Sequence, residues 1–485
     1  MTYQTKTQTV FVSGSFNVLH PGHLRLLRFA KECGNHLIVG VLSDRLAGKA
    51  ALIAEKFRLE MVKANTWVDE AFLLDEPITD LLMRLKPDIV IKGKEHEKQF
   101  NPESSALETY GGKLLFGSGE VIFSSLDLIY NEFYKFNLKT ISIPEDYLAR
   151  HGLNQSSLVK RVEKFVNLRV CVVGDLIIDE YITCQPLGMS QEDPTIVVTP
   201  IDSTRFVGGA GIVAAHAAGL GAHASLISIT GTDTIQRFAE EGLKSYGVDA
   251  HLICDEHRPT TLKQRFRSKG KTLLRVSHLH QDSISVELQS KVLKAVENKL
   301  ENTDLLIFSD FNYGCLPQPL IDKIIALVSG SSIMMAADSQ SSSQIGDISR
   351  FMGMDLVTPT EREARLSTRN SEDGLVTLAE QLRQRSKSKN ILLKLGEEGV
   401  LVHAGHTYHD QSEGWLTDQV PALNRSAKDV AGAGDSLLVA SALTLAAGGT
   451  IWESAFLGSL AAAIQVGRVG NIPVLVEELC NELSR

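Results

Sequence analysis

The sequence predicts an α/β protein of two domains. Three observations carry this reading. Short continuous apolar runs alternate with amphipathic stretches, as in parallel sheets covered on both faces by crossover helices. The chain has 485 residues, more than one ordinary core holds. Two glycine-containing, phosphate-handling patterns lie near its opposite ends, at residues 14–23 and 429–436.

The elements follow in order. Residues 10–12 form a short apolar strand, and Leu24, Leu27 and Ala30 then recur at helical spacing. Residues 36–42 make a second strand, closed by Ser43 and Asp44. Phe57, Met61 and Ala64 mark a helix, residues 71–74 a strand, residues 78–85 a helix and residues 88–91 a fourth buried strand. The pattern weakens between residues 130 and 151, around Pro144 and a polar run at 154–157. This predicts domains at 1–138 and 158–485 with a linker at 139–157. A helix at 158–165 opens the second domain, and a strand at 170–173 ends in Gly174 and Asp175. Further strands are expected at 225–229, 305–308, 333–337, 356–357 and 391–395.

Composition narrows the function. The residues are 43% hydrophobic and 22% charged, as in soluble globular proteins. The net charge of −9 gives no support for nucleic-acid binding, and no nucleic-acid partner is expected. Anionic substrates must then be drawn in by local cations and backbone N–H groups. The six cysteines are scattered without a C-x-x-C pair, which predicts a reducing, cytoplasmic setting rather than disulfides or a zinc knuckle. The N-terminus lacks a signal-peptide pattern, and the Ala-rich stretch at 441–449 is too short to span a bilayer, so no membrane role is expected.

The first pattern is Gly14-Ser15-Phe16-Asn17 followed by His20-Pro21-Gly22-His23. A turn from strand into helix presents N–H groups and a helix dipole that favour phosphate. Two imidazoles there can donate hydrogen bonds as charge builds on a phosphoryl group. No nucleophilic side chain is required, because a substrate phosphate can itself attack a nucleotide α-phosphorus. A second H-x-G-H, His403 to His406, lacks the Gly-x-Phe lead-in and the apolar helix, and reads as a chance match in a surface hairpin.

The second pattern is Asp429-Val430-Ala431-Gly432-Ala433-Gly434-Asp435-Ser436. The N–H groups of Ala431, Gly432, Ala433 and Gly434 at a helix start would make an anion hole. Asp435 beside it suits a base that takes the proton of an attacking hydroxyl. No G-x-x-x-x-G-K-[ST] is present, so a P-loop kinase is unsupported.

The N-terminal segment resembles the cytidylyltransferase-like nucleotidyltransferases, with their G-x-F-D and H-x-G-H. That resemblance implies a Rossmann-like domain in which His20 and His23 are catalytic. Ser15, Phe16, Arg58, Lys92, Ser124 and Ser125 would bind nucleotide or phosphate. Asn17 departs from the usual Asp.

The stretch from about residue 168 onward resembles the ribokinase (PfkB) sugar kinases. It implies a ribokinase-like α/β domain with a small β lid, in which Asp435 is the base. Asp175, Asp179, Gly208, Gly209, Arg265 and Arg275 would bind sugar. Lys394, Gly396 and the Ala431–Gly434 loop would bind nucleotide or phosphate. Glu363 would bind phosphate and hold Mg²⁺ through water. ATP is the expected phosphoryl donor, with CTP the alternative nucleotide for the N-terminal site.

Residues 174–181, 190–194, 260–276 and 308–314 are similar to the kinase half of the bifunctional heptose-7-phosphate kinase/heptose-1-phosphate adenylyltransferases. The resemblance implies a nucleotide-activated sugar as product, with sugar phosphates and nucleotides as partners and a homodimer through the kinase domain. Lys263, Arg265, Arg267 and Arg275 would supply charge for a phosphorylated sugar. Ile212 and Thr360 each stand where an Asn is usual, and Asp338-Ser339-Gln340-Ser341 lacks a phosphate-site Lys. The domain order is the reverse of that family's. The alternatives are another sugar or polyol with CTP, or a non-catalytic sugar-phosphate sensor.

Overall fold

The structure is a computed structural model that describes residues 8–19, 21–48, 51–93, 101–117, 140–268, 271–340, 346–405 and 416–484. Its contacts divide the chain into two units. One is 1–138 with 369–380, and the other is 139–368 with 381–485.

The first unit is built on β1 (Thr9–Gly14), β2 (His36–Leu42), β3 (Glu70–Leu74), β4 (Ile89–Gly93) and β5 (Lys113–Gly117). They pair in the order β3-β2-β1-β4-β5, all parallel. Val10, Phe11 and Val12 are fully buried because helices cover both faces of their strand. The order reverses between β1 and β4, so the crevice outside their carboxyl ends is the ligand position of an open α/β sheet. The loop after Gly14 and the end of β4 at Lys92 and Gly93 both lie there.

The second unit begins before the expected boundary. The stretch read as a linker contains a helix, Glu145–Arg150, whose Tyr147 and Leu148 are buried in this unit's core. The Tyr147 hydroxyl donates to the Trp452 carbonyl at 3.0 Å. Polar and proline content hid a segment that Tyr147, Leu148 and their apolar neighbours anchor to this core.

The strands of this unit run from β6 (Arg169–Gly174), β7 (Leu176–Met189), β8 (Ile196–Gly209), β9 (His223–Thr230) and β10 (Asp249–Cys254) to β11 (Thr261–Ser268) and β12 (Lys271–His278). They continue with β13 (Leu305–Asp310), β14 (Met334–Ser339), β15 (Leu356–Val357), β16 (Asn390–Lys394), β17 (Val400–Ala404) and β18 (Leu416–Val420). Among the described residues the large sheet runs β10-β9-β6-β13-β14-β15-β16-β17-β18, parallel up to β16. β12-β11-β7-β8 form a second, smaller sheet, the lid.

The helices Ala433–Ala446 and Ile451–Val466 are apolar nearly all round, and both are buried in the core. The parallel strands end together, which brings Asp175, Asp310, Asp338, Thr358 and Lys394 to one edge facing the start of the Ala433–Ala446 helix. Among the described residues no helix is long and apolar enough to cross a membrane.

Candidate active sites

In the first unit Phe16 takes a left-handed backbone, φ 46°, and its ring is buried in the core. The ring packs against His23, centroids 5.1 Å apart. Phe16 thus presents its backbone, rather than its ring, to a ligand at this turn. His23 Nδ1 lies 3.0 Å from the Val18 carbonyl, so this nitrogen carries the proton and Nε2 is the second functional atom. Asn17 Oδ1 accepts from the N–H groups of Leu52 and Ile53. An amide oxygen there does the loop-pinning work that a carboxylate would also do.

Arg58 differs from its expectation. It is fully buried. It donates to the carbonyls of Ile53, Ser15 and Leu42 at 2.7, 2.6 and 2.8 Å, and to Asp44 Oδ1 at 2.5 Å. A guanidinium so engaged holds the phosphate-side loop instead of reaching a triphosphate. Lys92 pairs with the buried Glu103 at 2.9 Å. His20, Ser124 and Ser125 lie outside the described residues.

In the second unit Gly432 takes φ 75° just before the helix begins at Ala433. The first helical bond runs from Ser436 N–H to the Gly432 carbonyl at 3.0 Å. Ala431 N–H donates to Asp429 Oδ1, and Ala433 N–H to the Val430 carbonyl. The anion-hole expectation for Ala431–Gly434 therefore narrows to the N–H groups of Gly432, Gly434 and Asp435. Asp429 also accepts from the Tyr181 hydroxyl at 2.9 Å and from Gly470 N–H, which ties the lid strand β7 to this loop.

Asp435 is buried in the first turn of the helix. Burial and the charge of Asp338 push its pKa up to about 7, against the opposing pull of Lys394. Lys394 Nζ contacts both oxygens of Asp338 at 2.9 Å. The same ammonium lies 3.2 Å from the place a Cβ on Gly434 would occupy, so it borders the anion loop. Burial opposes its charge, but Asp338, Glu363 and Asp435 outweigh burial and hold its pKa above the ordinary lysine value. Glu363 is buried, and its Oε2 accepts from Thr360 N–H at 2.7 Å while its own N–H donates to Thr360 Oγ1. Thr360 thus serves as a helix cap where an Asn is usual. Gly396 takes φ 63° in the turn after β16, a conformation only glycine adopts freely.

Asp175 and Asp179 have different surroundings. Asp175 accepts from the N–H groups of Phe311, Tyr313 and Cys315, so it clamps the loop after β13 rather than facing a sugar. Asp179 is the carboxylate of the cleft. Its Oδ2 accepts from Asn471 Nδ2 at 3.1 Å, and its Oδ1 lies 3.6 Å from Arg265 Nη2. A Cβ on Gly208 would strike Asp179 Oδ2 at 2.5 Å, and one on Gly209 the Asp175 carbonyl at 2.3 Å. Beyond this point a cavity of about 460 Å³ is lined by Tyr181, Arg265, Arg267, Arg275, Lys428 and Asp429, among others.

Ile212 is fully buried in the core. His403 lies on β17, which pairs antiparallel with β18 as the hairpin reading expected, but it is buried rather than at the surface, with Nδ1 2.9 Å from Thr417 Oγ1. His406 and Ser341 lie outside the described residues. Asn471 was missed by sequence reasoning, because a lone Asn after a glycine carries no pattern.

Comparison with known proteins agrees with this fold. Residues 167–478 match the pfkB family of carbohydrate kinases, and residues 11–124 match the cytidylyltransferase-like family. The protein is 29% identical over 335 residues to "Bifunctional protein HldE" of Paramagnetospirillum magneticum, covering 68% of this chain and 66% of that one. The HldE of Desulfatibacillum aliphaticivorans is 29% identical over 67% of this chain and 64% of its own. The chain thus spans just under two-thirds of these relatives. Ribokinase from Thermotoga maritima shares the fold, with a TM-score of 0.51, 22% identity and coverage of 66% of this chain and all of that one. Phosphofructokinase-2 from Escherichia coli does so with a TM-score of 0.53 and 17% identity over 66% of this chain and all of its own. The two matched segments are a sugar-kinase domain and a nucleotidyltransferase domain, and the chain belongs to the pfkB family of carbohydrate kinases.

Proposed function

We propose that the kinase domain phosphorylates a sugar that already carries a phosphate, and that the N-terminal domain joins a sugar 1-phosphate to a nucleotide. The leading acceptor is a heptose 7-phosphate phosphorylated at C1, and the leading product an ADP-sugar. The observation that carries the kinase reading is Asp435, poised near neutrality beside Gly432, Gly434 and the Lys394–Asp338 pair, next to an arginine-lined cavity. The likeness to the HldE proteins supports the heptose choice.

In the kinase step the acceptor hydroxyl gives its proton to Asp435 as its oxygen attacks the γ-phosphorus of ATP. ADP departs, and the N–H groups of Gly432, Gly434 and Asp435 hold the charge on the transferring group. Lys394 faces the same charge. Among the described residues no three His, Cys, Asp or Glu are grouped to ligate a metal. Mg²⁺ keeps several waters and rides on substrate phosphates, so its protein contacts would be made through water. Glu363 and Asp338 are the carboxylates that would hold its waters, and the ion would neutralise phosphate charge.

At the N-terminal site a phosphate oxygen of the sugar 1-phosphate attacks the nucleotide α-phosphorus, and pyrophosphate leaves. His23 as an imidazolium, its Nδ1–H held by the Val18 carbonyl, would donate from Nε2 to the α-phosphate, with His20 as its partner. ATP is the leading nucleotide and CTP the alternative. The buried Ile212 favours keeping a different sugar as the second reading, because an apolar side chain reads no hydroxyl. No disulfide joins the six cysteines, and a reducing cytoplasmic setting is the one we expect. A homodimer through the kinase lid is the assembly we expect, since Leu187, Met189, Ile196 and Ile201 are exposed on its strands.

Product mass spectrometry tests both activities. The protein is incubated with Mg²⁺, ATP, CTP and a panel of sugars, sugar phosphates and sugar 1-phosphates, beside Asp435→Asn and His23→Ala. A phosphorylated sugar lost only in Asp435→Asn, and a nucleotide-sugar lost only in His23→Ala, is the expected result. No new mass on a panel that includes heptose phosphates overturns the heptose assignment.

A further inference from the structure

Asn471 follows the left-handed Gly470 and is 5% exposed. Its amide is held between two glycines from distant parts of the unit. A Cβ on Gly208 would lie 3.1 Å from its Nδ2, and one on Gly432 would lie 2.6 Å from its Oδ1. The amide thus bridges the Gly208–Gly209 turn and the anion loop, and both glycines leave the room it fills.

Its orientation is set chemically. Nδ2 donates to Asp179 Oδ2 at 3.1 Å, and the flipped amide would set oxygen against carboxylate. Two acceptors remain, Asn471 Oδ1 and Asp179 Oδ1, both buried and, among the described residues, without a donor in hydrogen-bond range, the Arg265 guanidinium lying 3.6 Å from Asp179 Oδ1. Arg265 Nε is likewise buried and unpartnered. Buried acceptors left without donors are uncommon in native proteins and point to a missing ligand or water. The same cluster is close enough for the Asp179 charge to raise the Asp435 pKa. Ile212, by contrast, is sealed in the core with nothing to offer a hydroxyl.

We propose that Asn471 is a specificity-determining residue, acting with Asp179 to accept hydrogen bonds from two hydroxyl groups of the phosphoryl acceptor. A polyol supplies an O–H donor to each of these two oxygens, and one of its ring or hydroxyl oxygens can accept from Arg265 Nε. The amide sits beside Gly432, so a hydroxyl it reads lies next to the one facing Asp435. This rests on the kinase reading above and names the groups by which that site selects its acceptor.

The test uses the full chain and the acceptor that the wild type turns over fastest, taken from heptose 7-phosphate, fructose 6-phosphate and ribose 5-phosphate, with its monodeoxy analogues. Asn471→Ala is expected to lower kcat/KM for the parent sugar at least tenfold, with KM for MgATP within twofold of wild type. One deoxy analogue is expected to be used equally by wild type and variant, because it lacks the hydroxyl that Asn471 reads. Asn471→Ser, which keeps a small acceptor, is expected to recover part of the loss and serves where the Ala variant folds poorly. An equal loss for the parent and every analogue, or no loss, overturns the proposal. No turnover of any acceptor by the wild type overturns the kinase reading itself, and this inference with it.

Discussion

Lys394 holds Asp338 with its ammonium 2.9 Å from both carboxylate oxygens, at the carboxyl ends of two strands. Asp338 stands at the start of the segment that lacks the usual phosphate-site lysine, and the cation comes instead from β16. Removing one partner of a buried pair leaves an uncompensated charge, at a cost of about 3–5 kcal/mol. Lys394→Met is therefore expected to lower stability by that order and kinase kcat by more than about 100-fold, the range set by losing one electrostatic contact to a transition state. The double variant with Asp338→Asn is expected to regain stability and not rate. Urea unfolding and ADP release check this, and recovery of both together would reduce Lys394 to a counter-ion.

The pH dependence follows from three buried carboxylates. Asp435 has its pKa pushed up to about 7, and Asp338 and Asp175 to about 6, in each case chiefly by burial. Folding makes these groups hold protons that the unfolded chain releases near pH 4. The stability they contribute is present below their unfolded values and is lost as the pH rises through the folded ones. Kinase turnover moves the other way, because the base must be ionised, so kcat/KM falls as the pH drops below about 7. Asp435→Asn is expected to abolish phosphorylation and raise the thermal midpoint at pH 8 more than at pH 5. A midpoint gain independent of pH would contradict the linkage.

Arg58 gives a prediction opposite to a phosphate-binding role. Its donors serve three carbonyls and Asp44. Arg58→Met strands those acceptors and is expected to destabilise the first unit by about 3–5 kcal/mol. Kinase turnover should stay at the wild-type level. Calorimetry with a kinase assay checks it. A well-folded variant with weakened nucleotide binding would restore the phosphate role.

Much of this architecture is readable along the chain. The buried strands are continuous apolar runs such as residues 88–91 and 170–173, and burial on both faces is what makes them so. Asp435 is legible because a glycine-rich helix start needs local sequence. The rest depends on partners far away. Asn471 gains meaning only from Asp179, 292 residues earlier, and Asp175 from three N–H groups near residue 313. Arg58 reads as a phosphate-binding cation by its place in the motif, and only tertiary packing shows it buried against carbonyls. Asp175 and Asp179 look alike in sequence, and it is the turn into β7 that sends one to the loop and the other to the cleft.

The exposed lid residues bear on assembly. Ile196 and Ile201 are 56% and 65% exposed on β8, and Leu187 and Met189 are exposed on its neighbour β7. Apolar side chains so grouped favour burial against a second copy. Ile196→Glu with Ile201→Glu is expected to convert a dimer to a monomer in sedimentation velocity. A wild type that sediments as a monomer at micromolar concentration would remove this assembly.

Arg275 tests what the cavity binds. It is exposed and lines the cavity with Arg265 and Arg267. Arg267 lies 4.8 Å over the Tyr181 ring and 3.8 Å from Asp429, and Arg265 faces Asp179, so both are partly neutralised by the protein. Arg275 and Lys428 are thus the cavity cations best placed to meet a substrate phosphate through charge-assisted hydrogen bonds, and Arg275 is the one with a bidentate fork. Arg275→Ala is expected to raise KM for a phosphorylated acceptor about tenfold, the 1.4 kcal/mol typical of one such contact. KM for the same sugar without its phosphate should change less than about twofold, because no contact is lost. An exposed charge is screened over about 8 Å at physiological ionic strength, so the difference should shrink as salt rises. Equal effects on both acceptors would place the phosphate elsewhere in the cleft.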